Sequence, residues 1–170
     1  MSSYSVLIIE DEPVERRFLV DIIKKNYPVI GEILSSGNGW EALHIAEERK
    51  PDIILADISI PGISGLELIE KLRESGSNAK VLMTTAYDLF DYAKRAISSG
   101  ATGYILKPID IAELHEGLEK CFSLIEKERK LESGERGIAA MHGWAGQHIV
   151  HDSVSGVFHP SEMAGAYGFP

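Results

Sequence analysis

The sequence predicts an α/β fold in which helices cover both faces of a five-stranded parallel sheet. Five short apolar runs alternate with segments whose apolar residues have helical spacing. Four of the five runs lack polar alternation, which is typical of strands buried on both sides. Because each strand is followed by a helix, consecutive strands are expected to lie parallel.

The predicted strands are residues 6–9, 29–34, 53–56, 81–84 and 103–106. Gly31 and Glu32 interrupt the second run, whereas the other runs lack polar alternation. A mixed run of this kind suits a strand at the edge of the sheet.

The first two helices lie between the first three strands. The first begins at Pro13, which the first turn of a helix tolerates, and Val14 and Phe18 lie on its apolar stripe. The second ends before Pro51, because the residue preceding a proline disfavours the helical conformation.

Three further helices follow. The third is predicted from Ser64, its N-cap, with Glu67 at the capping-box position. Residues 88–98 and 110–132 are predicted as the fourth and fifth helices. Cys121 lies on the apolar stripe of the fifth helix, so we expect a buried core thiol.

The composition is that of an acidic globular chain. Its 170 residues are 44% hydrophobic, and 17 Lys and Arg against 26 Asp and Glu give a formal charge of −9. Such a chain is a poor general binder of nucleic acid or anionic membrane. The single cysteine excludes an intrachain disulfide and a Cys-based zinc cluster. No apolar run is long enough to span a membrane and the N-terminus lacks a signal peptide, so we expect a soluble cytoplasmic protein.

The composition changes sharply near Ser133. Residues 135–170 contain one Arg, no Lys and four of the six histidines. We therefore predict one domain over 1–133 and a Gly/His-containing extension of unknown role over 134–170. A non-native or disordered extension would have the same composition, although the spacing of His148 and His151 also fits a metal site.

Polar side chains follow four of the predicted strands. Glu10 and Asp11 follow the first strand, Asp57 the third, Thr85 the fourth and Lys107 the fifth. Ligands of open parallel sheets bind beyond the carboxyl ends of the strands. If these four strands are neighbours, the five side chains meet at one edge.

This set of groups predicts a chemistry. Clustered carboxylates repel each other and commonly hold a cation, and a ligand set made only of oxygens favours Mg²⁺. A lysine ammonium and a threonine hydroxyl can bind phosphoryl oxygens. An aspartate can itself be the nucleophile and form an acyl phosphate. The set therefore predicts metal-assisted phosphoryl transfer onto a carboxylate.

Four motifs in this order resemble the receiver domain of two-component response regulators. They are residues 8–13 (IIEDEP), 57–65 (DISIPGISG), 84–86 (TTA) and 107–108 (KP), and the resemblance covers about residues 4–130. It implies a flavodoxin-like receiver fold with strand order 2-1-3-4-5. It also implies a switch that is phosphorylated by a sensor histidine kinase and dephosphorylates itself slowly, rather than a turnover enzyme.

The resemblance also implies roles for single residues. Asp57 would be the phosphoacceptor and Lys107 would contact the phosphate. Asp11, Asp57 and the backbone carbonyl of Ser59 would ligate Mg²⁺, with Glu10 assisting.

A conformational switch is implied as well. Thr85 would hydrogen-bond the phosphate, and its movement would let Tyr104 turn inward. This would change the face formed by the fourth helix, fifth strand and fifth helix, through which a homodimer is possible. Ala86 is small and leaves access to the phosphoacceptor, and the Lys107–Pro108 bond is expected to be cis.

A narrower resemblance concerns the output. Residues 86–93 are similar to the same stretch in regulators with an AraC-type DNA-binding output, which would make the parent protein a transcription factor. Residues 135–170 are too few and too acidic to supply that output, so direct nucleic-acid binding by this chain is not expected.

Three alternatives remain open. A pseudo-receiver would keep the fold and signal by binding, without phosphorylation. Residues 37–42 fit the outline of a dinucleotide fingerprint, but they follow the second strand, and a helix start at Asn38 or Gly39 explains them too. A phosphatase of the haloacid dehalogenase type would need a general acid where Ser59 stands.

Overall fold

Five parallel strands form one sheet in the computed structural model, which describes residues 3–86 and 90–149, with side chains at 3–86 and 94–133. The spatial order is β2-β1-β3-β4-β5, as predicted, and β2 lies at an edge. The strands are Tyr4–Ile9 (β1), Ile30–Ser36 (β2), Ile53–Asp57 (β3), Lys80–Thr85 (β4) and Gly103–Leu106 (β5).

The helices are Pro13–Asn26 (α1), Gly39–Arg49 (α2), Gly65–Glu74 (α3), Phe90–Ser98 (α4) and Ile111–Ile149 (α5). Local sequence sets several of their starts. Pro13 occupies the first turn of α1, and the Asn38 side chain accepts hydrogen bonds from the first amides of α2. Ser64 and Glu67 form the predicted capping box of α3. Residues 88 and 89, predicted to begin the fourth helix, lie outside the described residues.

The predicted end of the fifth helix at residue 132 is wrong, because α5 continues to Ile149. The segment 133–149 contains four glycines but no proline. Glycine weakens a helix by about 1 kcal/mol per residue, whereas proline removes a backbone donor and breaks the helix. The change of composition near Ser133 therefore does not mark the end of the helix.

The chain divides into two compact units, residues 1–127 and 128–170. The predicted boundary after residue 133 and the role of 134–170 stay predictions. The four histidines of this extension fall outside the described side chains. Among the described residues, no helix combines the length and the apolar character needed to cross a bilayer.

The core has two layers, one on each face of the sheet. Val6 and Ile8 of β1 pack toward the side of α1 and α5, whereas Leu7 and Ile9 pack toward the side of α2 and α3. Successive side chains of a strand point to opposite faces, so a strand covered twice is apolar throughout. Cys121 is fully buried in the first of these layers, as predicted. Most side chains of the central strands therefore pack in these layers, and charged groups gather where the strands end.

Candidate functional site

The structure brings the polar strand ends together. β1, β3, β4 and β5 are consecutive in the sheet, which was the condition for the predicted cluster. Glu10 directly follows β1, Asp57 ends β3, Thr85 ends β4, and Lys107 directly follows β5. Parallel strands end at the same edge, so four separated sequence positions meet in one place.

Lys107 is the electrostatic centre of this edge. Its Nζ donates to Asp57 Oδ2 at 2.6 Å, to Glu10 Oε2 at 2.6 Å and to Glu15 Oε2 at 3.0 Å. The side chains of Glu10 and Asp57 are almost fully buried, and Lys107 is only 13% exposed. Buried carboxylates require a counter-charge, and Lys107 supplies it here.

The pKa values reflect this crowding. Burial raises the pKa of Glu10, and the hydrogen bond from Lys107 offsets only part of that shift. Burial alone would lower the pKa of Lys107, but the hydrogen bonds to Asp57, Glu10 and Glu15 outweigh it and raise the pKa above its ordinary value. Lys107 therefore stays charged at neutral pH.

Backbone contacts after β3 orient Asp57. The Ser59 amide donates to Asp57 Oδ1 at 2.8 Å, and the Ile58 amide donates to the Thr84 carbonyl at 2.9 Å. Gly65 passes so close that an added Cβ would lie 2.4 Å from the Asp57 carbonyl oxygen, so this position requires glycine. The carboxylate is held between a cation on one oxygen and an amide on the other.

Arg16 holds the loop between β1 and α1. Its guanidinium donates to the carbonyl oxygens of Glu10 at 2.5 Å and of Asp11 at 3.3 Å. The Glu12 amide donates to Glu10 Oε1 at 3.2 Å. These bonds fix the backbone of the two acidic residues while the Asp11 side chain remains exposed.

The carboxylates fit a divalent cation. Glu10, Asp11 and Asp57 each place one oxygen so that all three lie within 4.8 Å of one another. Three carboxylate oxygens at this separation, without nitrogen or sulfur, form the hard donor set that Mg²⁺ prefers. The exposed Ser59 lies beside this cluster, because its backbone N–H donates a hydrogen bond to Asp57 Oδ1. The Ser59 carbonyl as a Mg²⁺ ligand stays a prediction.

The predicted switch residues lie on neighbouring strands. Thr85 is fully buried, and its carbonyl accepts from the Lys107 amide at 2.7 Å. Tyr104 is half-buried, pairs with Met83 in register and packs against the core layer on the side of α2 and α3. The Lys107–Pro108 bond is cis, as predicted.

Sequence reasoning missed Glu15 as a member of the cluster. The available signal was an acidic residue in the first turn of α1, one turn beyond the acidic motif. Acidic residues are common in first turns because the helix dipole favours them there, so the signal was weak. The contact with Lys107 depends on how α1 packs on the sheet.

Comparison with known proteins gives consistent results. A family model described as the response regulator receiver domain matches residues 6–119. The chain is 37% identical over 118 residues to the positive alginate biosynthesis regulatory protein of Pseudomonas aeruginosa, covering 68% of this chain and 46% of that protein. It is 30% identical over 125 residues to sporulation initiation phosphotransferase F of Bacillus subtilis, covering 73% of this chain and 98% of that protein.

A solved structure agrees in fold. A DNA-binding response regulator of the LuxR family from Staphylococcus aureus superposes with a TM-score of 0.65 at 30% identity, covering 69% of this chain and 98% of that one. The chain spans about half the length of the transcription regulators it matches first. The matched family model covers most of the chain and includes the residues of the site, from Glu10 to Lys107. This chain therefore belongs to the receiver domain family of two-component response regulators.

Proposed function

We propose that this chain is a Mg²⁺-dependent phosphoacceptor switch that takes a phosphoryl group on Asp57 from a sensor histidine kinase. The observation that best supports it is the setting of the Asp57 carboxylate. One oxygen accepts from Lys107, the other from the Ser59 amide, and Glu10 and Asp11 lie beside it. An oriented carboxylate with a cation at its side is suited to nucleophilic attack on phosphorus.

The proposed transfer needs few protein groups. A carboxylate oxygen of Asp57 attacks the phosphorus of a phosphohistidine, the P–N bond breaks, and its electron pair stays on the imidazole nitrogen. Lys107 contacts phosphoryl oxygens and offsets the charge on them. Slow hydrolysis of the resulting acyl phosphate by water returns the carboxylate and inorganic phosphate.

Asp11, Asp57, Glu10 and the Ser59 carbonyl would hold the Mg²⁺. When bound, the ion would supply charge neutralisation for the incoming phosphoryl group. The protein's own contribution is to hold several carboxylates near each other against their repulsion, with the Lys107 ammonium as their shared partner. Such a site attracts a second cation.

Intact mass after incubation with acetyl phosphate tests the proposal. We expect a Mg²⁺-dependent gain of one phosphoryl group in the parent and none in Asp57→Ala. Asp52→Asn is the matched control, because Asp52 flanks the other end of β3 and should leave the gain unchanged.

Two outcomes would contradict the proposal. A gain that persists in Asp57→Ala would place the phosphoryl group elsewhere. If the parent gained no phosphoryl group and bound neither Mg²⁺ nor beryllofluoride, which mimics an aspartyl phosphate, the pseudo-receiver alternative would be favoured.

The readout is proposed to run through Thr85 and Tyr104. Thr85 would hydrogen-bond the phosphoryl group, and Tyr104 would move inward and alter the face of α4, β5 and α5. Ile97 on α4 is largely exposed on the described part of this helix, so an apolar contact for a second copy is available there. Light scattering tests this readout. Adding beryllofluoride should increase dimerisation of the parent, and the increase should be smaller in Thr85→Ala.

The kinase is proposed to dock on α1. Val14 and Phe18 are exposed apolar side chains one turn apart, and α1 begins two residues after Asp11. Phe18→Ala should slow transfer from the cognate kinase but not from acetyl phosphate. Val29→Ala is the control, because Val29 is equally exposed at 49% but lies before β2, at the opposite end of the sheet.

We propose that the parent protein regulates transcription and acts in the cytoplasm. The support is that similar proteins are regulators, such as the positive alginate biosynthesis regulatory protein of Pseudomonas aeruginosa and a transcriptional regulatory protein of Mycobacterium tuberculosis. The AraC-type output stays a prediction, because 87–89 of the stretch 86–93 lie outside the described residues.

A further inference from the structure

The third carboxylate on Lys107 comes from a helix, not from a strand end. Glu15 lies in the first turn of α1 and accepts from Lys107 Nζ at 3.0 Å. Glu10 and Asp57 accept from the same ammonium at 2.6 Å. An ammonium has three hydrogens, so these three acceptors match its full donor capacity. Lys107 must therefore give up one of them before it can bind a phosphoryl oxygen.

The three carboxylates differ in the free energy that it costs to break their contact with Lys107. The side chains of Glu10 and Asp57 are 2% and 8% exposed, so without a bound metal ion either would lose its counter-charge inside the protein. Glu15 is 26% exposed and its contact is the longest, so water can solvate the released carboxylate. The N-terminal end of α1 also favours a negative charge. Glu15 is the acceptor that Lys107 can release most easily.

We propose that Glu15 is a positioning residue that holds the Lys107 ammonium beside α1 until a phosphoryl oxygen takes its place. The inference rests on the proposed function, because the exchange needs an anion at Asp57. It makes the Glu15 carboxylate a competitor of the phosphoryl group for one hydrogen of Lys107. The same carboxylate adds negative charge near the cation site, so it also favours Mg²⁺.

These two effects have opposite signs, which makes the proposal testable. Without the Glu15 charge, Lys107 has a hydrogen available for the anion, and the site attracts Mg²⁺ less strongly. Glu15→Gln should therefore bind beryllofluoride more tightly and Mg²⁺ more weakly. A merely structural role would loosen the site and weaken both.

The experiment measures both dissociation constants in the full chain, with beryllofluoride titrated at saturating Mg²⁺. For Glu15→Gln and Glu15→Ala we expect about two- to fivefold changes in the stated directions, the size of a partly exposed ion pair. Asp21→Asn is the matched control, because Asp21 lies on the same helix, pairs with Arg17 and is mostly exposed. It should change neither constant.

The outcomes separate this inference from the proposed function. Unchanged constants in Glu15→Gln, or a parallel weakening of both, would overturn the role of Glu15 while the parent still bound beryllofluoride. If beryllofluoride binding by the parent did not require Mg²⁺ and Asp57, the proposed function would fail and the role of Glu15 with it.

Discussion

The two ends of β3 each carry an aspartate, and the two have different surroundings. Asp52, just before the strand, accepts from the Ser5 amide at 2.8 Å and from the Ser5 hydroxyl at 2.9 Å. Asp57, at the end of the strand, accepts from Lys107 and lies within reach of the Glu10 and Asp11 carboxylates. The first aspartate accepts from the amide and hydroxyl of one serine on β1, whereas the second shares the Lys107 ammonium with other acids.

The same contrast extends across both ends of the sheet. At the amino end, the Tyr4 hydroxyl donates to Glu126 at 2.7 Å, and Tyr27 shares a hydrogen bond with His115 at 3.1 Å. The rings of Tyr4 and Phe122 pack with centroids 4.6 Å apart. Polar tips there meet in pairs and aromatic bodies fill the space between them. The carboxyl end instead concentrates several carboxylates around the Lys107 ammonium, which favours binding of a further cation over stability.

Lys107→Ala should have the largest effect, because it leaves Glu10 and Asp57 buried without their cation. We expect a loss of about 3 kcal/mol in the free energy of unfolding, measured with urea in the absence of metal. Mg²⁺ should restore part of the loss, and so should adding Glu10→Gln. Equal stability of Lys107→Ala and the parent would show that the carboxyl end is not under electrostatic strain.

Asp52→Ala should have the next largest effect. It removes the acceptor of two Ser5 donors, and we expect a loss of about 1–2 kcal/mol by urea unfolding. Phosphoryl incorporation at Asp57 should be unchanged in mass spectrometry. A loss of incorporation in a folded Asp52→Ala would mean that the two ends of the sheet are coupled.

Tyr27→Phe should have a smaller effect at the same end. It keeps the buried ring and removes only the hydroxyl that meets His115, so the expected loss is about 0.5–1 kcal/mol. Thermal unfolding of Tyr27→Phe beside the parent measures it. A loss as large as that of Lys107→Ala would contradict the view that a single hydrogen bond at the amino end contributes only modestly to stability.

Ionisation of the Cys121 thiol should have the smallest effect on stability at neutral pH. Burial raises the pKa of its thiol to about 12, against 9.0 for the unperturbed group. A thiol reagent at about pH 8 should label the unfolded chain but not the native one. Because only the unfolded chain releases this proton between pH 9 and about 12, stability should fall as pH rises through that window, and Cys121→Ala should lack this component. Rapid native labelling would show that the interior opens.

Local sequence predicted much of the fold because its signals act over a few residues. Short runs without polar alternation marked four of the five strands, and Ser64 with Glu67 marked the start of α3. The composition change after Ser133 was a poorer guide, since helix formation depends on backbone chemistry and α5 continues to Ile149.

The residues of the site also divide into those that local sequence could place and one that it could not. Glu10, Asp57, Thr85 and Lys107 could be placed from the sequence because each lies at a strand end, and parallel topology brings such ends to one edge. Glu15 could not be placed, because its reach to Lys107 is set by the rotation and packing of α1.

The sequence by itself determined the order of strands and helices, the residues at the carboxyl edge and their chemical types. It could do so because periodicity and chain order are local properties. Only the tertiary structure decided which carboxylates share Lys107, which are buried, and that Asp52 and Asp57 differ in their surroundings. Those properties depend on distances between segments far apart in the chain, and electrostatic energies change steeply with distance and burial.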